Sequence, residues 1–324
     1  MRLFDAHCHL QDRRIAAVAP QLIRVALDSG VQRFVVNGVS EEDWHIVKQM
    51  GDDYPSIVPC FGLHPWFIVE RSPNWFNSLK EFLVDTPAAA VGEIGLHKGA
   101  HGKLTDFSDQ VDVFKQQLEL AKVLEKPVSV HCVGAFAELL DIMSQNFHQS
   151  WISLKVDLHT GWKLAFKFTN LSCTGPFKAG VILHSYIGSA ELVPRLAKLG
   201  SYFSFSGHLT SMKPEKAKKV VQSVPKDRIL IETDAPDGLL RLKTDHLFSI
   251  PDVPITELEE QSGGSVPQPA SLSREGLNHP ANIHSVLNYV ATLLEMPEEL
   301  LAELSFQNAS RLFSYPGSKV GCDG

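Results

Sequence analysis

The sequence predicts an α/β protein built as a (β/α)8 TIM barrel with closing helices toward its C-terminal end. Three observations lead there. Short apolar runs alternate with amphipathic segments along the chain, the pattern of a parallel sheet joined by helical crossovers. The apolar runs number eight. Side chains of metal-ligand type stand at the ends of five of them, where the mouth of such a barrel gathers its chemistry. A length of 324 residues, 44% of them hydrophobic, suits one barrel over 1–324 with insertions.

The elements follow in order. Strand one is read over 3–10, through FDAHCHL, and leads to a helix over 20–29. Strand two, 33–39, leads to a helix over 41–51, and strand three, 57–63, to one over 74–84. Strand four, 89–96, precedes a helix over 107–125 whose apolar stripe is read from Val111, Phe114, Leu118 and Leu120. Strand five, 128–133, leads to a helix over 135–144, strand six, 180–185, to one over 190–199, and strand seven, 201–206, to one over 214–223. Strand eight is 228–232, and the stretch 281–313 reads as two or three closing helices.

Two stretches break the rhythm. Residues 147–173, between a helix and strand six, are longer than ordinary αβ connections, and apolar without a period (Trp151, Trp162, Phe166, Phe168). Topology puts this insertion on the bottom face, away from the chemistry. It reads either as an interaction patch or as an aberrant insertion without stable packing. Residues 237–279 follow strand eight, are rich in Pro, Ser and Gly, and start on the top face. They form a long loop that either reaches the substrate or is plain surface.

Composition removes several classes. The formal net charge is −7 and the pI about 6.0, so there is no global basic footprint for nucleic acid. A phosphate-bearing substrate must then be held by metals and by local cations, for which Lys98, Lys103, Lys213, Arg241 and Lys243 are candidates on top-face loops. No apolar run approaches the roughly 18 residues of a membrane span. The five cysteines form no CxxC pair, which fits reduced thiols inside a cell. A cleaved leader would remove His7 and His9, so the expected location is the cytoplasm, with nuclear access open. The expected working unit is a monomer.

The chemistry rests on six residues. His7 and His9, spaced i, i+2 on a strand, turn both imidazoles to one face and Cys8 to the other. Glu93, in VGEIGL, is a carboxylate inside an apolar strand. Buried there it needs a partner, a cation or a basic side chain. His131 in PVSVHC and His184 in GVILHSY each close an apolar run, and each taken alone also reads as a hydrogen-bonded core histidine. Asp234 ends strand eight in IETDAP. Taken together, four imidazoles and two carboxylates around one mouth point to two divalent cations, roughly 3.5–4 Å apart, in a hydrolase. Glu93 would bridge them, His7, His9 and Asp234 would hold one, and His131 and His184 the other. Asp234 is the candidate general base. His64, in FGLHPW at the end of strand three, reads either as a phosphate or transition-state contact on the same rim or as a cap before Pro65. Magnesium or manganese suits phosphodiester chemistry, while histidine-rich ligation also suits zinc.

In this order, FDAHCHL, GLHPW, VGEIGL, KPVSVHC, ILHSYIGSAE, SFSG, IETDAP, NHPANI and NASRLF resemble the TatD family of metal-dependent deoxyribonucleases, among the amidohydrolase-like barrels. The resemblance runs from about residue 3 to 313, skipping 147–173 and much of 237–275. It implies a two-metal TIM barrel that hydrolyses DNA phosphodiesters, often from the 3′ end, with Mg²⁺ or Mn²⁺, and DNA as a transient partner. The family's ligands fall on His7, His9, Glu93, His131, His184 and Asp234. One departure is His97, where the family usually has an acidic residue. An amide or ester hydrolase on the same architecture is an alternative. Many of those bridge their metals with a modified lysine on strand four, whereas this chain has Glu93. A non-catalytic metal- or nucleic-acid-binding derivative is another.

Overall fold

The computed structural model describes residues 1–144, 177–241, 247–251 and 276–321. The 147–173 insertion, the centre of the 237–279 loop, Lys243, Cys173 and Cys322 lie outside the described residues.

Eight parallel strands follow one another around a single sheet in chain order: β1 (Leu3–Cys8), β2 (Val31–Asn37), β3 (Ile57–Phe61), β4 (Ala90–His97), β5 (Val128–Val133), β6 (Val181–Leu183), β7 (Ser201–Phe205) and β8 (Ile229–Ile231). Helices α1 (Ala19–Asp28), α2 (Trp44–Asp53), α3 (Trp75–Asp85), α4 (Phe107–Val123), α5 (Phe136–Ser144), α6 (Val193–Lys198) and α7 (Pro214–Ser223) separate them, and α8 (Ile283–Leu294) and α9 (Glu298–Phe313) follow β8. The two edges meet at the C-terminal mouth. There Asp234 N donates to His7 O at 2.9 Å and His9 N to Ala235 O at 2.7 Å. The eight strands and the closing helices are those the sequence predicts. No described helix is long and apolar enough to cross a membrane.

Two strands are shorter than expected. β6 stops before His184 and β8 before Asp234, because Ser185 (φ 43°) and Asp234 (φ 55°) adopt the left-handed backbone, which cannot continue a ladder. Both chemical residues therefore stand just past a strand end.

The core has two layers. A large cluster lies between strands and helices, and includes Leu3, Cys8, Val36, Val91, Ile94, Leu96 and Val130. A smaller one is drawn from seven of the eight strands and from α9, and fills the barrel interior with Phe4, Ala6, Val35, Val58, Cys60, Ala90, Ile182, Tyr202 and Leu230. Phe313 of α9 stacks on Phe4 at 5.6 Å and plugs the bottom.

Strict alternation would send two of the key side chains the wrong way. Phe4 and Ala6 face inward, so His7 should face the helices. Ala90 faces inward and Val91 outward, so Glu93 should also face outward. The pairing register shifts between Asp5 and Cys8 in β1, and between Val91 and Ile94 in β4. Each shift works as a bulge, and the alternation slips by one residue. His7, His9 and Glu93 then enter the mouth, while Cys8 and Ile94 join the outer layer. Cys8 Sγ lies 3.5 Å from Val35 O, turned away from the site as expected. In β4 the slip sits on a glycine: a Cβ at Gly92 would come within 2.7 Å of Ser129 Cβ.

The inner face of α4 differs from the expected stripe. Phe114, Leu118 and Leu120 are buried as expected, Val111 is only partly buried, and the buried face also takes in Gln110, Val113, Gln117 and Ala121. The two glutamines clamp the ends of neighbouring strands. Gln117 accepts from Leu63 N (2.7 Å) and donates to Leu63 O (3.0 Å). Gln110 accepts from His97 N (2.8 Å) and donates to Gly102 O (2.9 Å). A helix surface that reads as a polar interruption thus anchors the backbone just before His64 and at His97.

Candidate metal centre

All six predicted donors converge at the C-terminal mouth, around the carboxylate of Glu93. Its Oε1 lies 2.8 Å from His184 Nε2, 3.0 Å from His131 Nδ1 and 3.4 Å from His64 Nε2. Its Oε2 lies 3.3 Å from His9 Nε2 and 3.5 Å from His7 Nε2. Asp234 Oδ1 faces the same pair, 3.7 Å from His9 and 3.8 Å from His7. Three triads have donor atoms close enough to share one ion: His7, His9 and Asp234; His7, Glu93 and His184; and His64, Glu93 and His131. The second triad joins His184 to His7, across the partition read from the sequence, in which His184 sits with His131. His64 is not a rim residue. It is 3% exposed, its Nε2 faces Glu93, and its Nδ1 accepts from Trp66 N at 3.2 Å, so in the neutral ring Nε2 carries the hydrogen.

His7, His9 and His131 are each held from behind by a hydrogen bond, as metal-binding histidines commonly are. His9 Nδ1 faces the carbonyl of Asn37 at 2.8 Å. A carbonyl only accepts, so Nδ1 carries the hydrogen and Nε2 of the neutral ring offers a lone pair to the cluster. His7 Nδ1 pairs with Ser129 Oγ at 2.8 Å, and His7 stacks on His184 at 3.9 Å. His131 Nε2 meets His97 Nδ1 at 2.8 Å. Behind His184, Glu232 Oε1 lies 3.6 Å from its Nδ1 and accepts from Ser185 N at 2.6 Å. Asp234 Oδ2 pairs with His208 Nε2 at 3.1 Å.

The electrostatics suit cations. Burial works against a charged Glu93, yet the facing His184 and His64 and the hydrogen bonds from His131 and His184 hold its carboxyl well below the usual range. Burial likewise opposes ionised Asp234, and its bond to His208 and the nearby His184, His7 and His9 outweigh it. Against its own burial, His9 is lifted to about 9 by Glu93 and Asp234, and His184 is raised by Glu93 and Glu232. His7 is lowered by burial and by the neighbouring His184. Burial and the facing His131 push His64 down to about 4, and burial with His131 does the same to His97, so both rings are neutral near pH 7. Without metal, protons on His9 and His184 offset two buried carboxylates. Divalent ions fit the same donors and would release those protons.

The sequence reading missed Glu232, His208, Ser129 and the two glutamines. Glu232 and His208 were within view, in IETDAP and directly after SFSG. Their role depends on which donor each one backs, and only the fold pairs them. His97 takes the place of the usual acidic residue as a neutral hydrogen-bond partner of His131. Among the expected polyanion contacts, Lys98 is already paired with Glu138 and lies over the Phe107 ring at 4.5 Å, while Lys103, Lys213 and Arg241 are exposed.

A parallel eight-stranded barrel with a histidine–carboxylate cluster at its C-terminal mouth is the framework of a metal-centred barrel enzyme. The chain belongs to the TatD family: the family model described as "TatD related DNase" matches residues 4–314. A protein of Bacillus subtilis (strain 168) named "Uncharacterized metal-dependent hydrolase YabD" is 27% identical over 311 residues, spanning 96% of this chain and 98% of that one. A Haemophilus influenzae protein, also named an uncharacterized metal-dependent hydrolase, is 28% identical over 322 residues, spanning 97% and 100%. The crystal structure of YjjV, the TatD homologue of Escherichia coli K12, shares the fold with a TM-score of 0.71 at 23% identity, over 97% of this chain and 99% of that one.

Proposed function

We propose that this TatD-family protein is a metal-dependent hydrolase of DNA phosphodiester bonds, working as a 3′–5′ deoxyribonuclease. The observation that carries the reading is the split of Glu93, one oxygen toward His131 and His184 and the other toward His7 and His9, the arrangement of a carboxylate that bridges two ions. His7, His9 and Asp234 would hold one divalent ion, and His131 and His184 the other. Held there, Mg²⁺ or Mn²⁺, or Zn²⁺ on the histidine-rich side, would activate water and neutralise charge on the phosphate oxygens. Asp234 would take the proton of the attacking water, and His208, 3.1 Å from its Oδ2, would hold that carboxylate in position. Neutral His64 can donate to a phosphate oxygen without competing for a proton at neutral pH. One chain supplies every donor, so a monomer suffices.

The test is a gel of end-labelled single-stranded and duplex DNA, incubated with purified protein and Mg²⁺ or Mn²⁺, beside an EDTA control. A metal-dependent ladder shortening from the 3′ end is expected. Intact DNA with folded, metal-loaded protein would move the reading to carbonyl substrates.

A further inference from the structure

Beside the cluster stands an aromatic surface that the donor set does not use. Trp66 follows His64 and Pro65 on the loop after β3. It is 39% exposed, whereas His64 is 3% and His97 8% exposed. The other described tryptophans are buried, and Trp44 bonds Gly62 O at 2.8 Å. The indole stands edge-on to His64 (5.0 Å, 87°) and to His97 (5.4 Å, 69°), and lies 6.2 Å from the His131 ring. It also meets the exposed His101, the two rings 4.9 Å apart and tilted by 33°. Both loops are held before any ligand arrives. Thr105 Oγ1 bonds Pro65 O at 3.3 Å, and Gln110 bonds Gly102 O at 2.9 Å.

We propose that Trp66 and His101 form a stacking platform for one unpaired nucleobase of a single-stranded DNA end, next to the phosphodiester held at the cluster. The inference rests on the nuclease reading and adds to it the residues that would hold the terminal base. An exposed aromatic pair takes any base, since every base has a π-face, so the platform is indifferent to sequence. It is not indifferent to strandedness. A base inside a duplex is already stacked and reaches the indole only by leaving its neighbours. The platform lies within one nucleotide's reach of His131, so a terminal base can rest on it while the adjoining phosphate meets the donors. With a net charge of −7 and Lys98 already paired, stacking gives the strand a hold that long-range attraction does not.

The experiment compares wild type, Trp66→Ala and Trp66→Phe on oligothymidylate and on an all-abasic strand of equal length, with Mn²⁺. Wild type should favour the base-bearing strand by roughly 5- to 100-fold in kcat/KM, mostly through KM. The alanine variant should bring that ratio close to one, and the phenylalanine variant should keep most of it. An unchanged ratio in Trp66→Ala would overturn the platform, as would equal losses on both strands. A second readout needs no turnover: quenching of a terminal 2-aminopurine by the protein in EDTA, expected in wild type and lost in Trp66→Ala. If wild type cleaves neither strand, the nuclease reading fails, and this quenching alone decides the platform. Absence of quenching in wild type rejects it.

Discussion

Replacing Glu93 by glutamine keeps the shape of the side chain and removes its charge. Five imidazole nitrogens lie within 2.8–3.5 Å of its two oxygens, and both groups of donors share it. One substitution should therefore weaken both sites at once. With metal at a hundred times its dissociation constant, a site stabilises the fold by about 2.7 kcal/mol. A hundredfold loss of affinity leaves about 0.4 kcal/mol at the same concentration. At roughly 2–4 °C per kcal/mol for chains of this order, each wild-type site should raise the melting temperature by about 5–10 °C and each variant site by about 1 °C. The assay is a thermal melt with Mn²⁺ and with EDTA, paired with the DNA gel. Glu138→Gln, which breaks the surface pair with Lys98, is the control and should keep the full metal shift. A Glu93→Gln protein that keeps both the metal shift and the rate would refute the assignment of Glu93 as the shared ligand.

Three further predictions follow from the buried groups. His9, lifted to about 9, stabilises the metal-free fold fully below about pH 6.5, and this contribution is lost as pH climbs through about 9. Metal binding at pH 7.5 should accordingly release protons, read by calorimetry in two buffers of different ionisation enthalpy, and identical heats would contradict it. Burial drives the Asp5 carboxyl up to about 8 against hydrogen bonds from Thr233 and His7, so it is neutral when folded and ionised when unfolded near neutrality. Its contribution to stability should fall by up to about 1.4 kcal/mol per pH unit between about pH 4 and 8. Asp5→Asn should flatten the profile of urea unfolding in EDTA, and an unaltered slope would count against the buried neutral acid. Gln117→Ala should orphan the N–H and C=O of Leu63, cost about 2–4 kcal/mol in urea unfolding and lower activity by freeing His64. A loss under 1 kcal/mol would show the clamp to be dispensable.

The barrel, its eight strands, its closing helices and the six candidate donors were legible in the sequence because these signals are local. An apolar run, a helical period and the chemistry of an imidazole or carboxylate at a strand end are legible without knowing any neighbour. The i, i+2 spacing of His7 and His9 likewise put Cys8 on the far face. Tertiary structure decided how the donors reach one point. His7 and Glu93 face the mouth only because β1 and β4 slip against their partners, and a register shift is a property of two strands rather than one. His64 faces Glu93 from a loop whose Leu63 backbone is bonded by a glutamine on α4, more than fifty residues along the chain. Glu232, His208 and His97 acquired roles through the one donor that each of them touches.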